Sequence, residues 1–388
     1  MSFESELKNG QFTAKEKLSK IAALLERSGI DAEEIGRIER VNVWQGFIKN
    51  GDGEPELVDL TSIMLSPSWA EEPQYPVVQP AKPTTIKPVP SKPKIINDAT
   101  VTVILPDPQI GYRRLADGTM LPMHDEKAMN LCLQMMRFIR PDKVVNLGDF
   151  IDLPEWSAKF LILPEFVLTT QPSIDRAHKF LAEQRAVVGD SAEMVLIAGN
   201  HDARLPMAIT RNAISALRLK RANLPDSFPV LSMGFLLRLD ELKVKYLGAY
   251  PAHKYKIAKG GKGQTPLYAI HGDKLDVAKV AKSERQSFVQ GHIHRIALHS
   301  ETYEVGGERE QVVAFSPGCL CRVDGYVPST KSAVNDDGIP VTRFESWQQG
   351  MAVITETKDG FWSLEMVSIT DGKAIYRGRV FTSDGKNK

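Results

Sequence analysis

The sequence predicts a mixed α/β (α+β) protein: a large domain of two β-sheets with covering helices, preceded by a small N-terminal α+β unit on a proline-rich linker. Three observations predict it. Proline is concentrated in one stretch. Short apolar, β-rich runs recur after that stretch, with helical patterns between several of them. Nearly every one of those runs ends in Asp, Asn or His.

A chain of 388 residues suits one large domain plus an accessory unit. Its 42% hydrophobic and 25% charged content is ordinary for a soluble globular protein. A formal net charge of +1 gives no chain-wide attraction to nucleic acid or membrane, so any such tendency must be local. Cys132, Cys319 and Cys321 form neither a paired framework nor a C-x-x-C, which fits a reducing compartment. Cys319 and Cys321 flank one residue, a spacing that would strain a disulfide, and read as small buried thiols. No signal-like apolar region opens the chain and no run reaches membrane-spanning length, so the expectation is a cytoplasmic protein without a membrane partner.

The first unit covers residues 1–65. Thr13 and Glu16 have capping-box spacing ahead of KLSKIAALLERSG, Gly29 is the stop, and Asp31 caps a second short helix. VNVWQGFIK and ELVDLTSIML flank NGDGE and read as a β-hairpin. Such a unit is either a DNA-binding or docking module or a small domain without a readable partner. Residues 66–94 hold eight of the chain's 24 prolines and predict an extended linker, bounded at 66–98.

The domain at 99–388 follows. Its predicted strands are TVTVILP (100–106), KVVNLG (143–148), EMVLIAG (193–199), PLYAIHG (266–272), SFVQGH (287–292) and QVVAFSP (311–317), with helices over KAMNLCLQMMRFIR and IDRAHKFLAEQRAVV. GMAVITET and FWSLEMVSI are strands without helices, expected to finish the second sheet.

Five strand ends carry Asp107-Pro-Gln109, Gly148-Asp149-Phe-Ile-Asp152, Gly199-Asn200-His201-Asp202, His271-Gly272-Asp273 and Gly291-His292-Ile-His294. Open α/β sheets bind ligands at strand carboxyl ends, so the five suggest one convergent site. Carboxylate, amide and imidazole without thiolate suit Mn, Fe, Zn or Mg. Glycines beside these residues let backbone approach the site closely. Taken singly, Asp107, Asp149 and Asn200 are ordinary turn formers and His271 a structural histidine. The ordered set points to metal.

The blocks D-x-[HQ], G-D-x-x-D, G-N-H-[DE], H and G-H-x-H, over residues 101 to about 320, resemble the calcineurin-like metallophosphoesterase superfamily. Their order, and the SPGCLCRVDG segment, look like its bacterial and phage DNA-repair exonuclease branch. The resemblance implies a two-sheet β-sandwich flanked by helices and two divalent ions, Mn2+ first among them, with a bacterial or phage-infected cell as the setting. It implies that Asp149 bridges the ions, that Asp107, Gln109 and His294 complete the first site, and that Asn200, His271 and His292 complete the second. It implies further that His201 protonates the leaving oxygen, that Asp202 holds the His201 ring, and that Asp152 supports the ligands or bonds near His201. Gln109 departs from the His common at its position; an amide oxygen is the weaker donor and should hold the first ion less firmly.

Local charge bears on the substrate. Residues 203–222 carry five basic side chains and no acid, with Arg204, Arg211 and Arg218 seven apart, one stripe if helical. Residues 252–265 add four lysines. These suit a phosphate backbone, with Arg204 and Arg211 as substrate contacts, or are a solvated helix face and a lysine loop. The expected function is a DNA-directed phosphodiesterase. The alternatives are a phosphomonoesterase acting on protein or small molecules and a non-catalytic scaffold. A homo-oligomer is compatible with the sequence, and no docking motif identifies a protein partner.

Overall fold

A computed structural model describes residues 23, 26–29, 35–67, 98–158, 162–220, 222, 229–325, 327, 336 and 344–384. The chain divides into two compact units, Met1–Thr85 and Ile86–Lys388. Thr13, Glu16, Asp31 and residues 68–97 of the proline-rich stretch lie outside the described residues.

In the first unit, β1 (Ile35–Lys49) and β2 (Pro55–Pro67) pair antiparallel, with Trp44 opposite Leu60 and Phe47 opposite Leu57. Asn50 closes the turn: its side-chain oxygen accepts from the backbone N–H of Asp52 at 3.1 Å and of Glu54 at 2.9 Å.

The second unit is a mixed α/β body. Its elements begin with β3 (Ala99–Leu105), β4 (Tyr112–Arg114), β5 (Met120–Pro122), α1 (Glu126–Ile139), β6 (Lys143–Asn146), α2 (Thr170–Val188), β7 (Glu193–Ile197), α3 (Arg204–Asn212), α4 (Met233–Leu236) and β8 (Val244–Leu247). They continue with β9 (Tyr255–Ala258), β10 (Leu267–Ile270), α5 (Val277–Glu284), β11 (Ser287–Gln290), β12 (Ile296–Val305), β13 (Glu308–Pro317), β14 (Gln349–Thr357), β15 (Trp362–Ile369), β16 (Lys373–Tyr376) and β17 (Arg379–Thr382).

One sheet runs β15-β14-β3-β6-β7-β8, with its last four strands parallel, and the other β12-β13-β11-β10-β9. Parallel neighbours require crossovers: α1 lies between β3 and β6, α2 between β6 and β7, α3 and α4 between β7 and β8, and α5 between β10 and β11. Strand periodicity sorts the side chains between two cores. Val103, Leu105, Val144, Met194 and Leu196 face α1 and α2. Ile104, Val145, Val195 and Ile197, one residue out of phase, share a core with Ile257, Leu267, Ala269, Val289 and Phe315 of the five-stranded sheet. The two sheets therefore pack against each other. α5 covers the far side of the second sheet through Val277, Ala281, Val312 and Ala314.

The six predicted strands and two predicted helices form, with ends shifted by a few residues. One assignment is corrected: residues 349–369 do not finish the second sheet. β14 pairs antiparallel with β3 and β15 with β14, so both extend the sheet that carries β6 and β7. β14 supplies Met351 and Val353 to the helix-side core and Ala352 and Ile354 to the inter-sheet core, as a central strand must. Phe150, fully buried, stacks on Phe180 of α2 with ring centroids 6.0 Å apart and so pins the turn after β6. Burial of one such ring contributes about 1.5–3 kcal/mol.

Candidate metal centre

The sequence-predicted ligands lie just beyond the ends of β3, β6, β7, β10 and β11 and converge. Asp107, Gln109, Asp149, His271 and His294 are all at most 4% exposed. Asp149, His271 and His292 offer ligand atoms within 4.8 Å of one another, and so do Asp107, Asp149 and His294. Asp149 belongs to both groups.

The backbone pays a conformational cost for this convergence. Asp107 (φ 35°), Gln109 (φ 43°), Asp149 (φ 43°), His292 (φ 69°) and His294 (φ 53°) all occupy the left-handed region. A non-glycine residue there costs on the order of 1–2 kcal/mol and is held by its surroundings. Two glycines make the close approach possible. A Cβ at Gly199 would overlap the Asp149 carboxylate, and one at Gly291 would sit 2.5 Å from Asp107 Oδ2.

Hydrogen bonds orient the donors. His271 Nδ1–H donates to the Leu147 carbonyl at 2.8 Å, which directs Nε2 toward Asn200 Oδ1 at 3.1 Å and Asp149 Oδ1 at 3.3 Å. Asp107 Oδ1 accepts from the His292 backbone N–H at 2.9 Å and lies 3.5 Å from His294 Nε2. Gln109 Nε2 is 3.3 Å from the same nitrogen.

Charge tells the same story. Burial alone would raise the Asp149 pKa, but the His201 and His271 imidazoles hold it well below the usual carboxylate range. Burial likewise opposes the charged form of His271, yet Asp149 pushes it up to about 9. Burial, and then the His271 charge, lowers His292. The cluster thus favours positive charge between Asp149 and His271.

Asp107 Oδ2 and Gln109 Oε1 are buried without a hydrogen-bond partner. An unmet buried acceptor costs about 1–3 kcal/mol, more when charged, and a divalent cation would satisfy both. The donor set, hard oxygen plus imidazole, fits Mn, Fe, Zn or Mg.

His201 stands at the rim. Its backbone N–H donates to Asp149 Oδ1 at 2.8 Å, its Nδ1 lies 3.0 Å from Asp152 Oδ1, and its Nε2 lies 3.1 Å from Arg204 Nη2. Arg204 also pairs with Asp152, whose pKa is lowered despite burial by His201 and Arg204.

The role expected for Asp202 is corrected. Asp202 does not hold the His201 ring; Asp152 does, the second of the two roles expected for it. The Asp202 carboxylate is fully buried and accepts from the backbone N–H of Gly199 at 2.7 Å and of Phe150 and Ile151 at 3.2 Å each. It ties the Asp149 turn to the Asn200 turn. Burial, then the Asp149 charge, raises its pKa to about 6.

The predicted basic stripe is also corrected. α3 ends at Asn212, and Ala213 leaves helical backbone at φ −150° and ψ 49°, so Arg218 does not continue the face of Arg204 and Arg211. Arg204 reaches the site, whereas Arg211 is exposed on α3. The lysine segment is no loop throughout. It includes the edge strand β9, with Lys254 over Phe288 and Lys256 over Tyr268, and edge lysines discourage sheet-to-sheet pairing.

Three side-chain groups escaped the sequence reading. Tyr250 packs its ring 5.6 Å from His271, and Trp347 lies 4.4 Å from His294, centroid to centroid. Tyr250 lies three residues beyond the end of β8, so the strand-end rule that located the other groups applied to it too. Cys321 Sγ lies 3.8 Å from His294 Nδ1. Both Cys319 and Cys321 are free and buried.

Among the described residues, no helix is long and apolar enough to cross a membrane. No family model matches the chain. The Gene 54 proteins of Mycobacterium phages D29 and L5 are each 25% identical to it over 277 residues, covering 68% of this chain and 95% of each relative.

Proposed function

We propose that this protein is a calcineurin-like metallophosphoesterase that hydrolyses phosphodiesters of nucleic acid with two divalent ions. The observation that carries this reading is the pair of three-residue ligand groups sharing Asp149, with orphaned acceptors on Asp107 and Gln109 beside them. The two packed sheets with flanking helices agree with that fold. Asp107, Gln109, Asp149 and His294 would hold one ion, and Asp149, Asn200, His271 and His292 the other. Such ions supply charge neutralisation of a phosphate and acidification of a water.

The remaining steps belong to the chain. His201, its Nδ1–H donating to Asp152, accepts from Arg204 at Nε2. Once Arg204 turns to the incoming phosphate, that Nε2 takes a proton from solvent and gives it to the leaving oxygen, worth a factor of about 10²–10⁴. Arg204, hydrogen-bonded to that Nε2, is the cationic partner for the incoming phosphate. Asp202 keeps the Asp149 and Asn200 turns in register. An intact His201 with both partners speaks against a non-catalytic scaffold.

A phosphomonoesterase is the second reading, favoured by the break in the basic stripe at Ala213. A Mn2+-dependent assay decides. Turnover of bis-p-nitrophenyl phosphate and of labelled single- or double-stranded DNA supports the diesterase. Turnover of p-nitrophenyl phosphate alone selects the second reading, and no turnover with any divalent ion refutes both.

A further inference from the structure

We infer that Cys319, Cys321 and His294 form a third metal site, for a thiophilic divalent ion such as Zn2+, fused to the dinuclear centre through the His294 ring. Two of the chain's three cysteines meet here. Their sulfurs and the histidine nitrogen lie within 4.8 Å of one another, and all three residues are buried.

The two ring nitrogens of His294 face different chemistry. Nε2 faces Asp107 at 3.5 Å and Gln109 at 3.3 Å, and Nδ1 faces Cys321 Sγ at 3.8 Å. Around a tetrahedral zinc, with Zn–S near 2.3 Å and Zn–N near 2.0–2.1 Å, donors stand about 3.5–3.8 Å apart. Closure therefore requires only a modest contraction. The Gln348 carbonyl oxygen, 3.5 Å from Cys319 Sγ, is at hand for the fourth position.

The scaffold around the thiols is already fixed. Cys319 N–H donates to the Gln348 carbonyl at 3.0 Å, Asp125 N–H donates to the Leu320 carbonyl at 3.1 Å, and Gln349 Nε2 donates to the Cys321 carbonyl at 2.8 Å. The Trp347 ring packs on His294. Thiolate donors select zinc-like ions over manganese or magnesium, so this site and the sulfur-free dinuclear centre prefer different metals. Each thiol releases its proton to solvent on ligation, and so does the His294 Nδ1–H when Nε2 already holds an ion of the dinuclear centre, leaving a bridging imidazolate. The inference rests on the proposed dinuclear reading only at His294.

The test titrates metal-free, full-length protein with Co2+ and reads absorption. A near-ultraviolet thiolate-to-cobalt charge-transfer band is expected in the wild type. It should vanish in C319S/C321S and persist in D149N, with zinc stoichiometry one ion lower in C319S/C321S than in the wild type. Undiminished Mn2+ binding certifies that the double variant is folded. If it does not fold, C319S and C321S alone, each keeping one thiol, should each weaken the band. A wild type that binds cobalt without the band, or a band indifferent to the cysteines, overturns the inference, and Cys321 is then only a hydrogen-bond partner of His294. Failure of the dinuclear reading would show separately, as D149N binding as many ions as the wild type.

Discussion

His271 Nε2 lies 3.3 Å from Asp149 Oδ1, both side chains almost fully buried, with Asn200 Oδ1 3.1 Å from the same nitrogen. Three facts about one nitrogen define the site: it points at oxygens, it is held there by the Leu147 carbonyl behind it, and its pocket favours positive charge. Without metal a proton supplies that charge.

That proton gives a pH signature. The folded-state pKa of His271, about 9, lies above its ordinary 6.5. Its contribution to the stability of the metal-free protein is therefore complete below about pH 6.5 and lost as pH rises through about 9. Thermal melting with excess chelator should show Tm falling across that window. Saturation with Mn2+ should remove the fall, because ions then replace the proton.

Asp152 and Asp202 should separate cleanly. Asp152→Asn leaves the turns intact but weakens the orientation of His201, so kcat should drop about tenfold or more with metal stoichiometry retained and the pH–rate profile displaced. Asp202→Ala strands three buried backbone donors, each costing about 1–3 kcal/mol. It should lower Tm by many degrees and weaken metal binding. Calorimetric melting and metal titration on both variants check this; equal effects would contradict the division of labour.

Gly199→Ala places a methyl group against the Asp149 carboxylate. Activity should fall by on the order of 10² or more, the scale of a 1 Å misplacement, while circular dichroism stays near wild type. Wild-type turnover would mean that Asp149 need not sit where it does.

Gln109→His should tighten the first ion, since imidazole is the stronger donor and the site is already within 3.3 Å of His294. Isothermal titration with Mn2+ should show the weaker of two binding events move toward the stronger. Unchanged affinity would remove Gln109 from the ligand set.

The ligand residues were legible because each follows a strand directly, and a parallel sheet gathers such ends at one edge whatever the loops do. The sheet that β14 and β15 join was not legible, because an antiparallel partner such as β3 can be recruited from any distance along the chain. The partner of His201 was legible only as a pair of candidates. Asp152 and Asp202 are both carboxylates near the site in sequence, and only the fold of the turns turns one outward to the imidazole and the other inward to backbone. The approach of Cys321 to His294, 27 residues away, left no local pattern. Asn212 is only a weak stop signal for α3, and no Gly or Pro follows it before Arg218.

Anomalous diffraction from crystals of the Mn2+-loaded protein is the decisive measurement. Two manganese peaks roughly 3.5–4 Å apart, with the Asp149 carboxylate between them, His294 on one ion and His271 and His292 on the other, is the result expected. A single peak, or peaks that Asp149 does not touch, would contradict it.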